Sequence, residues 1–167
     1  GILADERYEF RGQHISEYDR TKAAAHAIAQ EFIKKGLPLA IVMPGLVYGP
    51  GDTSSVRTTL VQFLQRKLPM IPQKTAFSWG YIDDIAQGHI GAMEAGRPGE
   101  SYIVAGPEHT LVYAMNLAQE ITGIPAPRAV SPAFFSTLSP VMGVVGKVAP
   151  LPDSYTAEGL RVLAGVT

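Results

Sequence analysis

A helix marked at both ends and followed within four residues by an apolar strand constrains this chain more than any other stretch. Ser16, with Asp19 three residues on, resembles a capping box, and the helix it opens is predicted to run to about Lys35. Lys34 and Lys35 suit the negative end of a helix, Gly36 stands where a left-handed residue closes one, and Pro38 prevents continuation. Leu39-Ala40-Ile41-Val42-Met43 then reads as a strand buried on both faces, as in a parallel sheet. Helix then strand is half of a βαβ unit, so the chain is expected to be α/β. Ala23, Ala24, Ala25, Ala27 and Ala29 give the helix small side chains, which predicts close packing against a sheet or a second helix.

The same helix carries Tyr18 and Lys22, four residues apart and so one above the other on one face. A phenol and an ammonium placed this way can act on one reacting atom. Free tyrosine has a pKa of about 10, and a neighbouring cation favours the phenolate. With 7 Tyr and six Lys in 167 residues, chance supplies such a pair in about one sequence in four, so an exposed Tyr beside a solvated Lys is the plain alternative.

Beyond the first strand, Pro44 to Asp52 reads as a loop rich in Gly and Pro at a strand's carboxyl end, where α/β sheets bind ligands. Ser55 to Lys67 has helical periodicity, Leu68 to Pro72 breaks it, and Gln73 to Gly80 reads as a loop. Tyr81-Ile82 leads into a helix ending at Gly96, with Asp83 as its expected N-cap rather than a metal ligand. His26, His89 and His109 are expected to be structural. Ser101 to Ala105 is a second strand, and Thr110 opens a helix closed by Gly123. An apolar segment from Phe134 to Val145 suggests a core or lid helix, and Thr156 to Leu163 a last short helix.

Composition excludes several classes of function. A net charge of −1 and no basic run argue against a nucleic-acid partner. There is no cysteine, hence no disulfide and no thiol nucleophile, and a reducing cytoplasm is the expected compartment. Pro140 to Leu151, the longest apolar run, is too short and too interrupted to span a bilayer, so no membrane partner is expected. None of the 17 glycines forms a phosphate-cradling loop, and the chain opens at Gly1-Ile2-Leu3 as though cut from a longer sequence.

Taken together, Tyr18-x-x-x-Lys22, the apolar strand, Pro44-Gly45-x-Val47-Tyr48-Gly49-Pro50, Tyr81-Ile82-Asp83-Asp84-Ile85-Ala86 and Ser101-Tyr102-Ile103-Val104 resemble the extended short-chain dehydrogenase/reductases, the NAD-dependent epimerase/dehydratase family. The resemblance covers the C-terminal part of such an enzyme only. It implies part of a Rossmann-like parallel sheet with flanking helices plus most of a small α/β substrate-binding domain, the N-terminal nucleotide-binding half being absent. Residues 1–52 and 81–106 would belong to the Rossmann-like domain, and residues 53–80 and 107–167 to the substrate domain.

By the same resemblance Tyr18 would give or take the hydroxyl proton, and Lys22 would lower its pKa and bond the nicotinamide ribose. Pro44, Gly45, Leu46 and Val47 would line the nicotinamide of NAD or NADP, while Tyr48, Trp79 and Tyr81 would face the substrate. Nucleotide-sugar epimerases of this family usually have Asn where this chain has Gly45, and an Arg before the segment matching Tyr81-Ile82-Asp83. The Pro-Gly pair and the aromatic approach look more like the dihydroflavonol-reductase and hydroxysteroid-dehydrogenase branch, which acts on apolar carbonyl or alcohol substrates. Two alternatives stay open. One is a nucleoside-diphosphate-sugar epimerase, with Lys74 or Arg57 serving the phosphates, and the other is a cofactor-free binding module on the same scaffold. Family members often dimerise through this helix, so a homodimer is also an expectation, and the isolated chain is expected to be inactive.

Overall fold

The computed structural model describes residues 4–10, 12–131 and 133–134. Their elements run α1 (Glu17–Lys34), β1 (Ile41–Pro44), β2 (Leu46–Tyr48), α2 (Ser55–Leu64), β3 (Met70–Pro72), β4 (Ala76–Tyr81), α3 (Ile82–Ala95), β5 (Ser101–Val104), β6 (Glu108–Thr110), α4 (Leu111–Thr122) and β7 (Arg128–Val130). This is the expected α/β class with parallel strands and flanking helices. The described residues form two compact units, one running up to Pro50 and again over Ser78–Pro107, the other covering Gly51–Phe77 and continuing from Glu108. The helices expected beyond Phe134 and over Thr156 to Leu163 lie outside the described residues.

In the first unit, α1 begins where its sequence marks it: the Asp19 N–H donates to the Ser16 hydroxyl oxygen at 3.1 Å. Its end is a Schellman closure, with the Gly36 N–H donating to the Ile33 carbonyl at 2.9 Å and the Leu37 N–H to the Phe32 carbonyl at 3.0 Å. Gly36 has φ +95°, which an L side chain resists. The close packing expected of the alanines is not found: no residue of α1 is buried, and Ala23, Ala24 and Ala25 are exposed. The helix instead rests on one half-buried stripe, His26, Ala29, Gln30 and Ile33, at helical spacing.

β1 and β5 pair in parallel, Ile41 opposite Ser101 and Pro44 opposite Val104. β1 is half-buried rather than buried on both faces, because β5 is its only strand neighbour among the described residues. α3 packs on these strands at Gly88, where a Cβ would overlap the Val104 side chain, and its buried Ile85 lies against Gly80. β2 and β4 pair in parallel as well, Leu46 opposite Trp79 and Tyr48 opposite Tyr81. Both lie in stretches expected to be loops. The glycines that suggest loops there, Gly45 and Gly80, sit where strands approach other atoms too closely for a side chain. Asp83 is not the N-cap of α3. Tyr81 takes that place without a side-chain bond, and Asp83 and Asp84 stand in the first turn, where carboxylates suit the positive helix end.

The second unit holds most of the buried apolar side chains described: Val56, Phe63, Ile71, Leu111 and Met115. Asp52 caps the approach to α2, accepting from the Ser54 N–H at 2.6 Å and the Arg57 N–H at 3.0 Å. α2 stops at Leu64, short of Lys67, in a Schellman turn whose left-handed residue is Arg66 at φ +59°. α4 follows its sequence signals, capped by Thr110, which accepts from the Tyr113 N–H, and closed by Gly123 at φ +69°. β3 and β7 pair in parallel, Met70 opposite Arg128.

Candidate active site

The first unit brings the candidate residues together in two groups. On α1, the Lys22 ammonium nitrogen lies 5.4 Å from the centroid of the Tyr18 ring, within the range of a cation–π contact. This is the encounter that the four-residue spacing predicts. Tyr18 is 67% exposed, so its hydroxyl is open to a reacting partner. One turn around, Arg20 donates to Glu17, and those hydrogen bonds hold the exposed Glu17 carboxyl below its usual pKa. The Thr21 hydroxyl donates to the Tyr18 carbonyl at 2.9 Å and pins the turn that carries the phenol.

The second group is built on the carboxyl ends of β1, β2 and β4. Pro44 ends β1, and the Gly45 N–H donates to the Val104 carbonyl at 3.0 Å. A Cβ at Gly45 would overlap the Ser78 carbonyl oxygen and stand 2.9 Å from the Ala105 Cβ. Leu46 and Val47 continue into β2, which delivers Tyr48 beside β4. The Tyr48 ring meets Trp79 edge-on at 5.9 Å between centroids and Tyr81 at 5.7 Å. Such edge contacts stabilise a cluster beyond the area it buries. Two exposed tyrosines and a half-buried tryptophan therefore form one wall, apolar in body and with hydroxyl groups along it.

Trp79 is fixed through its backbone. Its N–H donates to the Pro107 carbonyl at 3.2 Å, and its carbonyl accepts from the Gly106 N–H at 2.9 Å. Gly106 permits this, since a Cβ there would overlap the Trp79 carbonyl oxygen. Neither Gly106 nor Gly80, pressed against Ile85, stands out by motif. The one sequence signal is a glycine in or beside a strand. His89 has its Nδ1 2.8 Å from the Ile85 carbonyl, a contact within its own helix. Arg57 and Lys74, considered for phosphate, belong to the second unit. Among the described residues no group of His, Cys, Asp and Glu could hold a metal ion, and no helix is long and apolar enough to cross a membrane.

Comparison with known proteins gives this geometry a context. The chain is 32% identical over 121 residues to sterol demethylase protein B of Methylococcus capsulatus, covering 70% of this chain and 36% of that protein. It is 28% identical over 96 residues to the decarboxylating sterol-4-alpha-carboxylate 3-dehydrogenase of Candida albicans, covering 56% of this chain and 27% of that one. The chain thus spans about a third of the length of these relatives. A solved structure of a nucleoside-diphosphate-sugar epimerase from Pseudomonas aeruginosa shares the fold at a TM-score of 0.75 and 23% identity, over 89% of this chain and 48% of its own. Residues 4–105, more than half of the sequence, match the model of one family. On that match, the chain belongs to the NAD-dependent epimerase/dehydratase family.

Proposed function

We propose that this chain carries the proton-transfer pair and part of the substrate wall of an NAD-dependent enzyme that oxidises the hydroxyl of a largely apolar, sterol-like alcohol or reduces the matching ketone. The observation that carries this reading is the Lys22 ammonium lying over the ring of an exposed Tyr18. In the oxidation, the Tyr18 oxygen takes the proton of the substrate hydroxyl; in the reduction, it returns it.

The donor set suits the nicotinamide end of a dinucleotide. The Tyr18 hydroxyl and the three N–H groups of Lys22 can meet ribose hydroxyls. Pro44 to Val47 continue from the carboxyl end of β1, where α/β sheets bind ligands. Nicotinamide, when bound, supplies the hydride acceptor or donor. NAD, rather than NADP, is the cofactor in the family's description. On this reading the first unit serves the cofactor and also carries the aromatic wall that faces the substrate.

Three things favour an apolar alcohol. The wall of Tyr48, Trp79 and Tyr81 has large apolar faces. Gly45 has no room for the Asn usual in the sugar-nucleotide enzymes. The two curated relatives are named for sterols. A second reading, a nucleoside-diphosphate-sugar epimerase, draws on the likeness to the Pseudomonas enzyme and would use Lys74 or Arg57 on the diphosphate.

The discriminating experiment takes the protein as its own cell makes it and follows NADH absorbance and product formation with a 3-hydroxysterol and with UDP-glucose. Sterol turnover that falls by a factor of about 10² to 10⁴ in Tyr18→Phe is the expected result. Turnover of the sugar nucleotide alone would favour the second reading. Turnover of neither would contradict both and favour a binding module.

A further inference from the structure

We propose that the second unit carries an anion site of its own, in which Arg66 and Arg128 hold the phosphate or carboxylate of a compact organic molecule whose apolar body enters the cavity between them. That cavity has a volume of about 220 Å³. Its apolar lining includes Phe63, which is 2% exposed, with Leu68, Pro125 and Pro127. No acidic residue lines it. None of the residues placed in the candidate active site does either.

Among the described residues, no hydrogen bond or ion pair engages the guanidinium of Arg66 or Arg128, in contrast to Arg7 and Arg20, each paired with a carboxylate. Both are mounted on fixed backbone. Arg128 opens β7, and its N–H donates to the Pro69 carbonyl at 3.1 Å. Arg66 sits in the turn closing α2, where its N–H donates to the Phe63 carbonyl at 2.9 Å and the Lys67 N–H to the Gln62 carbonyl at 2.7 Å. That turn position has φ +59° and favours glycine, which closes α1 and α4 in the same way. An arginine there is a costly choice for the backbone, so its side chain, rather than the turn, accounts for it.

Guanidinium presents a planar fork of donors that matches the oxygens of phosphate and carboxylate, and it is desolvated more cheaply than an ammonium. Two such forks at a cavity lined by Phe63, Leu68 and prolines favour an anion that carries a compact apolar body over a free ion. The volume lies below the roughly 300–1,000 Å³ of pockets for drug-sized ligands, which limits the ligand to about ten non-hydrogen atoms. Phenyl phosphate is a probe of this size.

The test is calorimetric titration of the protein with phenyl phosphate and with inorganic phosphate, repeated on Arg66→Gly and Arg128→Gln. Arg66→Gly suits the left-handed turn, so a melting temperature equal to or above that of the parent will show that it folds. Saturable binding of phenyl phosphate with a Kd below about 1 mM is expected, with inorganic phosphate weaker by about tenfold and each variant weakened by about tenfold or more. No saturation up to about 10 mM would overturn the proposal, as would unchanged affinity in both variants or equal affinity for the two probes.

Discussion

The two units divide labour in a way their burial makes visible. Among the described residues, the second holds five of the six buried apolar side chains, Val56, Phe63, Ile71, Leu111 and Met115, whereas the first has only Ile85. Yet the first unit carries Tyr18, Lys22 and the aromatic wall, and its longest helix is only half-buried along one stripe. Among the described residues, the buried apolar side chains thus concentrate in one unit and the proposed chemistry in the other. The first unit compensates with close backbone approaches at Gly45, Gly80, Gly88 and Gly106, where glycine lets elements meet without side chains between them.

The largest effect that could break this comparison is on Met115, 1% exposed in α4. Met115→Ala should destabilise the fold by about 2–5 kcal/mol, against about 0.5 kcal/mol for Phe32→Ala at a half-exposed position of α1. Equal losses in urea unfolding would mean that α1 is as well packed as the second unit's core. Next in size is Gly45→Asn, which forces a side chain against the Ser78 carbonyl and Ala105. A loss of about 1–3 kcal/mol is expected. If the variant melts like the parent, Gly45 does not exclude asparagine, and the preference for an apolar substrate loses one of its three supports.

The smallest effect concerns pH. Hydrogen bonds from Ser54, with the Arg57 N–H adding to them, hold the exposed Asp52 carboxyl below its ordinary value of 3.8. A carboxyl with a lowered folded-state pKa stabilises the fold above its unfolded value and loses that contribution as pH falls through the folded one. The melting temperature should therefore decline from about pH 5 toward pH 3, and less steeply in Asp52→Asn. A decline of the same slope in both would show that this cap does not couple to folding.

What the sequence made legible was local. The caps at Ser16 and Thr110, the glycines at positions 36 and 123 and the meeting of Tyr18 with Lys22 all follow from spacings of a few residues. What it hid depends on partners far along the chain. β2 and β4 read as loops because their glycines suggest turns, when those residues serve contacts to Ser78 and Ile85 that only the folded chain creates. Asp83 looked like a cap because its chemistry suits one; the helix starts two residues earlier, so the carboxylate meets the dipole instead of an N–H. The aromatic wall was half legible. Tyr48, Trp79 and Tyr81 follow from family resemblance, while their edge contacts follow from the parallel register of β2 on β4.

The most direct measurement is NAD-linked turnover by Tyr18→Phe in the protein as its own cell produces it, read beside its thermal melt. Because Tyr18 is 67% exposed, the melt should stay within the range of surface substitutions while turnover falls by about two to four orders of magnitude. Unchanged turnover with an unchanged melt would contradict the assignment of Tyr18 as the proton carrier.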